Sequence, residues 1–149
     1  MTDGTTLAGR AGRRRGNDLS GLSGGAAAAG RPLVGRRVLV AEDNVILSMH
    51  VADVLERAGA TVAGPYPFVR EALDALGDGA VDAAVLDHEL MDGTSDALAE
   101  RLDAVGVPYA YFTSHAARDL PVRGAPMVPK PGEARVLIDA IQGLLTGRA

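Results

Sequence analysis

Cysteine is absent from the 149 residues. That excludes a disulfide scaffold, a thiolate metal site and a cysteine nucleophile, and it fits a reducing compartment. Tryptophan is absent too, and aromatics make up 3% of the chain, so there is no platform for stacking bases or sugars. No window approaches the roughly 20 apolar residues of a membrane span. Lysine is nearly missing: fourteen of the fifteen basic residues are Arg, and the exception is Lys130. If ammonium rather than guanidinium chemistry is used anywhere, it is used there. With 47% hydrophobic and 23% charged residues, the remainder has the composition of one soluble domain, at roughly 100–200 residues per domain.

The net charge of −4 argues against nucleic acid as the main partner. The charge is unevenly spread. Residues 1–35 hold five Arg and two acids, whereas residues 36–149 hold ten basic residues and seventeen acids. Residues 1–35 are rich in Gly, Ala, Ser and Arg without apolar periodicity, and read as a disordered arm. Three sharper readings of it compete. Arg13-Arg14-Arg15 before Ala26 to Ala29 resembles a twin-arginine export signal, but Gly and Ser break the stretch between. The arginines would alternatively touch nucleic acid or an acidic partner, or the start codon lies further downstream.

From residue 36 the chain alternates between two periodicities. Val38–Ala41 and Ala83–Leu86 are continuous apolar runs, as strands buried on both faces require. Thr61–Ala63 reads as a short strand closed by Gly64-Pro65, Tyr109–Phe112 as a fourth strand, and Pro126–Val128 as a fifth. Pro126 and Pro129 bracket the fifth, which assigns it to the sheet edge. Helical stripes run from Leu47 to Ala58, Val69 to Leu76, Leu98 to Val105 and Val136 to Leu145. Gly59, Gly77 and Gly106 serve as stops, and Ser95 as a cap. Alternating strands and helices predict a doubly wound α/β fold with a parallel sheet.

The chemically interesting residues share one edge of that sheet. Glu42, Asp43, Asp87, Thr113 and Lys130 all lie at or just past a strand's C-terminal end, where open α/β sheets build their sites. Three converging carboxylates repel one another, and a divalent cation removes the conflict. All-oxygen ligands point to Mg2+. A metal, an ammonium and a hydroxyl around Asp87 form a set suited to a phosphoryl group, with Asp87 as the nucleophile. The bland alternative, a solvated acidic loop and a helix cap, needs several coincidences at one edge. His50 reads as surface. His88 and His115 flank the site as rim residues, metal ligands or a general base. Asp92-Gly93-Thr94 superficially resembles a haloacid dehalogenase signature, but lies five residues past Asp87. No phosphate-binding glycine loop is present.

In their order, Glu42-Asp43 after Val-Leu-Val-Ala, Asp87 after Ala-Val-Leu, Thr113 after Tyr-Phe, and Lys130-Pro131 make residues 36–149 resemble a receiver domain of bacterial two-component response regulators. The resemblance implies a flavodoxin-like five-stranded sheet of order 2-1-3-4-5. It implies Asp87 as phosphoacceptor and Mg2+ held by Asp43, Asp87, Glu42 through water, and the Glu89 carbonyl. Thr113 and Lys130 would bind phosphoryl oxygens, and Lys130-Pro131 would be cis. The protein would be no enzyme beyond autophosphorylation from small donors and autodephosphorylation, with Glu89 and His115 modulating the latter. It would be cytoplasmic, phosphorylated by a histidine kinase, and a monomer or weak homodimer, with no membrane and no specific nucleic acid as partner.

A narrower resemblance comes from Gly64-Pro65 and from Val107 to Thr113. These are similar to stand-alone alphaproteobacterial receivers of the FATGUY group, partnered with HWE/HisKA2-type histidine kinases. This chain has Tyr111-Phe112-Thr113-Ser114-His115 at the fourth strand end, Met91 after the acceptor where proline is usual, and Met127 at the usual switch aromatic. The last helix ends near Ala149, so output is expected through contact with an unknown downstream protein. The alternatives are a phosphate sink or shuttle, a nucleic-acid-binding regulator using the arm, and a receiver that is never phosphorylated. Between the fourth and fifth strands, Pro121, Gly124 and Pro126 leave room for only a short helix or none.

Overall fold

The computed structural model describes residues 30–114, 125–130 and 132–147. Strands β1 (Arg37–Ala41), β2 (Thr61–Tyr66), β3 (Ala83–Leu86), β4 (Tyr109–Thr113) and β5 (Met127–Pro129) form one sheet in the order β2-β1-β3-β4-β5. Every neighbouring pair in it is parallel. The helices are α1 (Val45–Arg57), α2 (Val69–Asp78), α3 (Asp96–Val105) and α4 (Ala134–Thr146). A two-residue antiparallel ribbon, Glu89–Leu90 against Gly93–Thr94, lies between β3 and α3. The fold is the doubly wound parallel α/β one that the alternation predicts, in the flavodoxin-like strand order that the resemblance implies, with β5 at the edge. The segment expected to carry a short helix or none, His115, and the Lys130-Pro131 bond lie outside the described residues.

Alternate strand residues feed two cores, because successive side chains point to opposite faces. Val38, Val40, Val85 and Phe112 pack with Val51 and Leu55 of α1 and Leu137 and Ile141 of α4. Leu39, Ala41, Leu86 and Tyr111 pack with Ala72 of α2 and Leu98 and Leu102 of α3. Each fully buried aliphatic side chain contributes about 1.5–3 kcal/mol, so both helical layers are held by their apolar stripes.

Four local features are added or changed by the structure. First, the compact unit that holds the sheet includes Leu33, ahead of the pattern that opens at residue 36. Leu33 is fully buried and its N–H donates to the Ala58 carbonyl at 2.8 Å. Gly59, at φ +103°, ends α1 and lies against Val34, where a Cβ would meet the Val34 side chain at 2.6 Å. Second, β2 does not close at Gly64-Pro65 but runs through it to Tyr66, with an irregular register that sets Ala41 opposite Tyr66. Third, α2 continues through Gly77 to Asp78. Fourth, Ser95 sits at the N-cap of α3 but makes no side-chain cap; its hydroxyl is buried and its N–H donates to the His88 carbonyl. Among the described residues no helix is long and apolar enough to cross a membrane.

Candidate phosphoryl and metal site

The site stands on the C-terminal ends of β1, β3, β4 and the edge strand. Past Ala41, the Glu42 N–H donates to the Tyr66 carbonyl at 3.0 Å. Asn44 then caps α1 by accepting from the Leu47 N–H at 2.9 Å, which fixes where Glu42 and Asp43 leave the sheet. The Asp87 N–H donates to the Ala41 carbonyl at 2.8 Å, so Asp87 is tied to the same strand end. On the other side, the Lys130 N–H donates to the Thr113 carbonyl at 3.2 Å. Parallel pairing alone thus gathers residues spread over 88 positions of sequence, from Glu42 to Lys130.

Oxygens of Glu42, Asp43 and Asp87 lie within 4.8 Å of one another. Glu42 and Asp87 are buried, Asp43 is half-buried, and the Thr113 side chain is buried at the end of β4. The Lys130 Nζ donates to Asp87 Oδ2 at 2.8 Å and stands 2.7 Å from Glu42 Oε1. It also lies 5.6 Å from the Phe112 ring centroid. A single ammonium thus bridges two carboxylates. Glu42 also accepts from the Asn44 N–H at 3.0 Å.

Burial pushes the Glu42 carboxyl up to about 7; Lys130 and the Asn44 amide oppose the rise and Asp87 adds to it. Burial alone would lower the Lys130 ammonium, but its contacts with Asp87 and Glu42 outweigh this and raise it above the usual value. The donor set is all oxygen, and a hard cation such as Mg2+ fits it.

The raised Glu42 pKa has a thermodynamic consequence. An unfolded Glu releases its proton near 4.5, whereas the folded one holds it to about 7. Between those values the folded state binds more protons, so this group's contribution to stability falls as pH rises through the window. Without divalent cations, the urea midpoint is expected to fall from about pH 5 to about pH 8. Glu42→Gln should flatten that fall, and an equal fall in both proteins would contradict the assignment. The Lys130 contribution is lost only above pH 10.5 and does not enter this window.

Not every singled-out side chain joins the cluster. Glu89 opens the exposed side of the ribbon. His88 is half-buried and its Nε2 faces Asp96 Oδ1 at 3.7 Å; His50 is exposed on α1. Sequence reading gave no role to Asp92. Its carboxylate accepts from the Val69 N–H at 2.6 Å and the Arg70 N–H at 3.3 Å. No local signal shows this, because the partners are 22 and 23 residues away.

No family model matches the sequence, and no curated protein matches it. Solved structures do. SdrG from Sphingomonas melonis is 31% identical over 74% of this chain and 97% of its own, with a TM-score of 0.66. A response regulator receiver protein from Sinorhizobium medicae is 26% identical over 76% of this chain and 97% of its own, with a TM-score of 0.67. A variant of the anti-anti-sigma factor PhyR from Bartonella quintana is 21% identical over 85% of this chain, with a TM-score of 0.70, a likeness of fold alone. The chain spans about half of the PhyR structures, 55% in that case.

Proposed function

The chain belongs to the receiver domains of response regulators, and on that premise we propose that it accepts a phosphoryl group on Asp87 from a histidine kinase and signals by contact with another protein. The observation that carries this reading is the Lys130 ammonium held between Asp87 and Glu42, with Asp43 beside them. The Asp87 carboxylate oxygen attacks phosphorus, an acyl phosphate P–O bond forms, and the donor's P–N bond breaks. The imidazole leaves with the electron pair and takes up a proton. Asp43 and Asp87, with Glu42 and the Glu89 carbonyl, would hold Mg2+, which would supply positive charge to the phosphoryl oxygens. Lys130 turns its ammonium from the carboxylates to one phosphoryl oxygen, and the Thr113 hydroxyl donates to another.

The kinase is of the HWE/HisKA2 type, the setting is cytoplasmic, and the basic arm lies outside the phosphoacceptor unit. The test is incubation with acetyl phosphate and Mg2+, read by intact mass. A single added phosphate that survives acid and is lost in base supports the reading, and no uptake from either acetyl phosphate or a kinase refutes it.

Glu89 and His115 set the lifetime of the phosphoryl group rather than its acceptance. Replacing both by Ala is expected to change the dephosphorylation half-life several-fold while leaving phosphate uptake intact. An unchanged half-life removes both residues from that role.

A further inference from the structure

One connection, Tyr66 to Arg70, holds both halves of the acidic site although it contributes no side chain to it. From one side, the Tyr66 carbonyl accepts the Glu42 N–H at 3.0 Å. From the other, the Pro67 carbonyl accepts the Met91 N–H at 2.9 Å. Asp92 then accepts from the first amides of α2, Val69 at 2.6 Å and Arg70 at 3.3 Å, and its Oδ2 is 3.6 Å from an Arg70 guanidinium nitrogen. That guanidinium lies 4.2 Å from the Phe68 ring centroid, which fixes its place. Phe68 is the N-cap residue of α2 and has no side-chain acceptor of its own. The free amides of this helix start are therefore satisfied across the fold, by the loop that follows Asp87.

We propose that Asp92 is a positioning residue for the acidic site: by clamping the loop after Asp87 to the start of α2, it fixes the separation between Asp87 and Glu42. The loop is held at other points as well. Besides the Met91 bond, the Ser95 N–H closes it onto the His88 carbonyl at 2.8 Å, and the ribbon within it is two residues long on each side. Val69 and Arg70 amides hold the Asp92 carboxyl below its usual range, so the clamp stays anionic where a receiver works. A helix cap acting only on α2 would stabilise that helix and nothing else. The clamp differs because its far end is the segment that carries Asp87.

This inference rests on the reading of the cluster as a Mg2+ site, and the experiment separates the two. Full-length wild type, Asp92→Asn and Asp92→Ala are titrated with Mg2+ alone by backbone chemical shift, and amide exchange is recorded without metal. Asp92→Ala is expected to weaken Mg2+ about tenfold, the low end for partners lying outside the metal ligands. It should also speed exchange at residues 87–95 and at Glu42. Asp92→Asn keeps an acceptor for the Val69 N–H and is expected to recover most of both. Faster exchange confined to the first turn of α2, with unchanged Mg2+ affinity, overturns the proposal and leaves Asp92 a plain cap. If wild type binds no Mg2+, the metal reading fails, and exchange at 87–95 and Glu42 alone decides the clamp. Should Asp92→Ala not fold, Asp92→Ser, whose hydroxyl is too short to reach the Val69 N–H, takes its place, and wild-type exchange at those positions in that variant overturns the proposal.

Discussion

Asp87→Asn is expected to abolish phosphorylation while leaving the fold in place. The amide keeps the shape of the carboxylate, so the Asp87 N–H bond to Ala41 and the sheet register are untouched. It cannot act as the nucleophile, because its oxygen carries no formal charge and its nitrogen holds the conjugated electron pair. No neighbour substitutes. Glu42 is held by Lys130 and the Asn44 N–H, and Asp43 leaves from a different strand end. One charge fewer beside Glu42 also removes one of the causes that push its carboxyl up. The measurement is phosphate uptake from acetyl phosphate and from a kinase, with far-ultraviolet circular dichroism as the check on folding. A folded Asn variant that still gains a base-labile phosphate moves the acceptor elsewhere.

Lys130→Arg should uncouple phosphorylation from its consequence although the charge is kept. The ammonium is compact and contacts two carboxylates from one atom, at 2.7 and 2.8 Å. A planar guanidinium is larger and places its donors in a fixed fork, which does not reproduce that point contact or its transfer to one phosphoryl oxygen. Hydrogen bonds to charged groups contribute about 1.5–3 kcal/mol, so beryllofluoride binding is expected to weaken about ten- to a hundredfold. Mg2+ affinity should change little, because Lys130 is a competitor for the carboxylates and not a ligand. Beryllofluoride affinity equal to wild type would refute the role, and so would a Mg2+ affinity that falls with it. This pair of outcomes also separates Lys130 from Asp92, whose loss acts on Mg2+ first.

The alternation of apolar runs with helical stripes is enough to predict a doubly wound parallel α/β fold, since period 2 and period 3.6 each select which face is buried. Val38–Ala41 and Ala83–Leu86 are legible because a strand covered on both faces must be apolar throughout. Glu42, Asp43, Asp87 and Lys130 were legible for the complementary reason: charge just after such a run lies at the sheet's C-terminal edge. Glycine at α1's end and the prolines around β5 marked boundaries through backbone geometry alone.

Other features depend on partners that sequence distance hides. Leu33 joins the core only because Ala58 offers a carbonyl and Gly59 leaves room beside Val34. Continuation of β2 through Gly64-Pro65 depends on pairing with β1, which no propensity of the segment itself records. Ser95 has the right type and place for a cap, yet its hydroxyl makes no cap bond. Asp92 belongs in sequence only to an incomplete signature, yet in the fold it caps a helix 23 residues upstream. Composition, order and the edge on which the charges gather were determined by the sequence, because hydrophobic period and turn chemistry are local. Which charged atoms touch, how far burial shifts Glu42, and what holds the loop after Asp87 were decided by tertiary structure, because those quantities depend on distances and dielectric that only the closed fold defines.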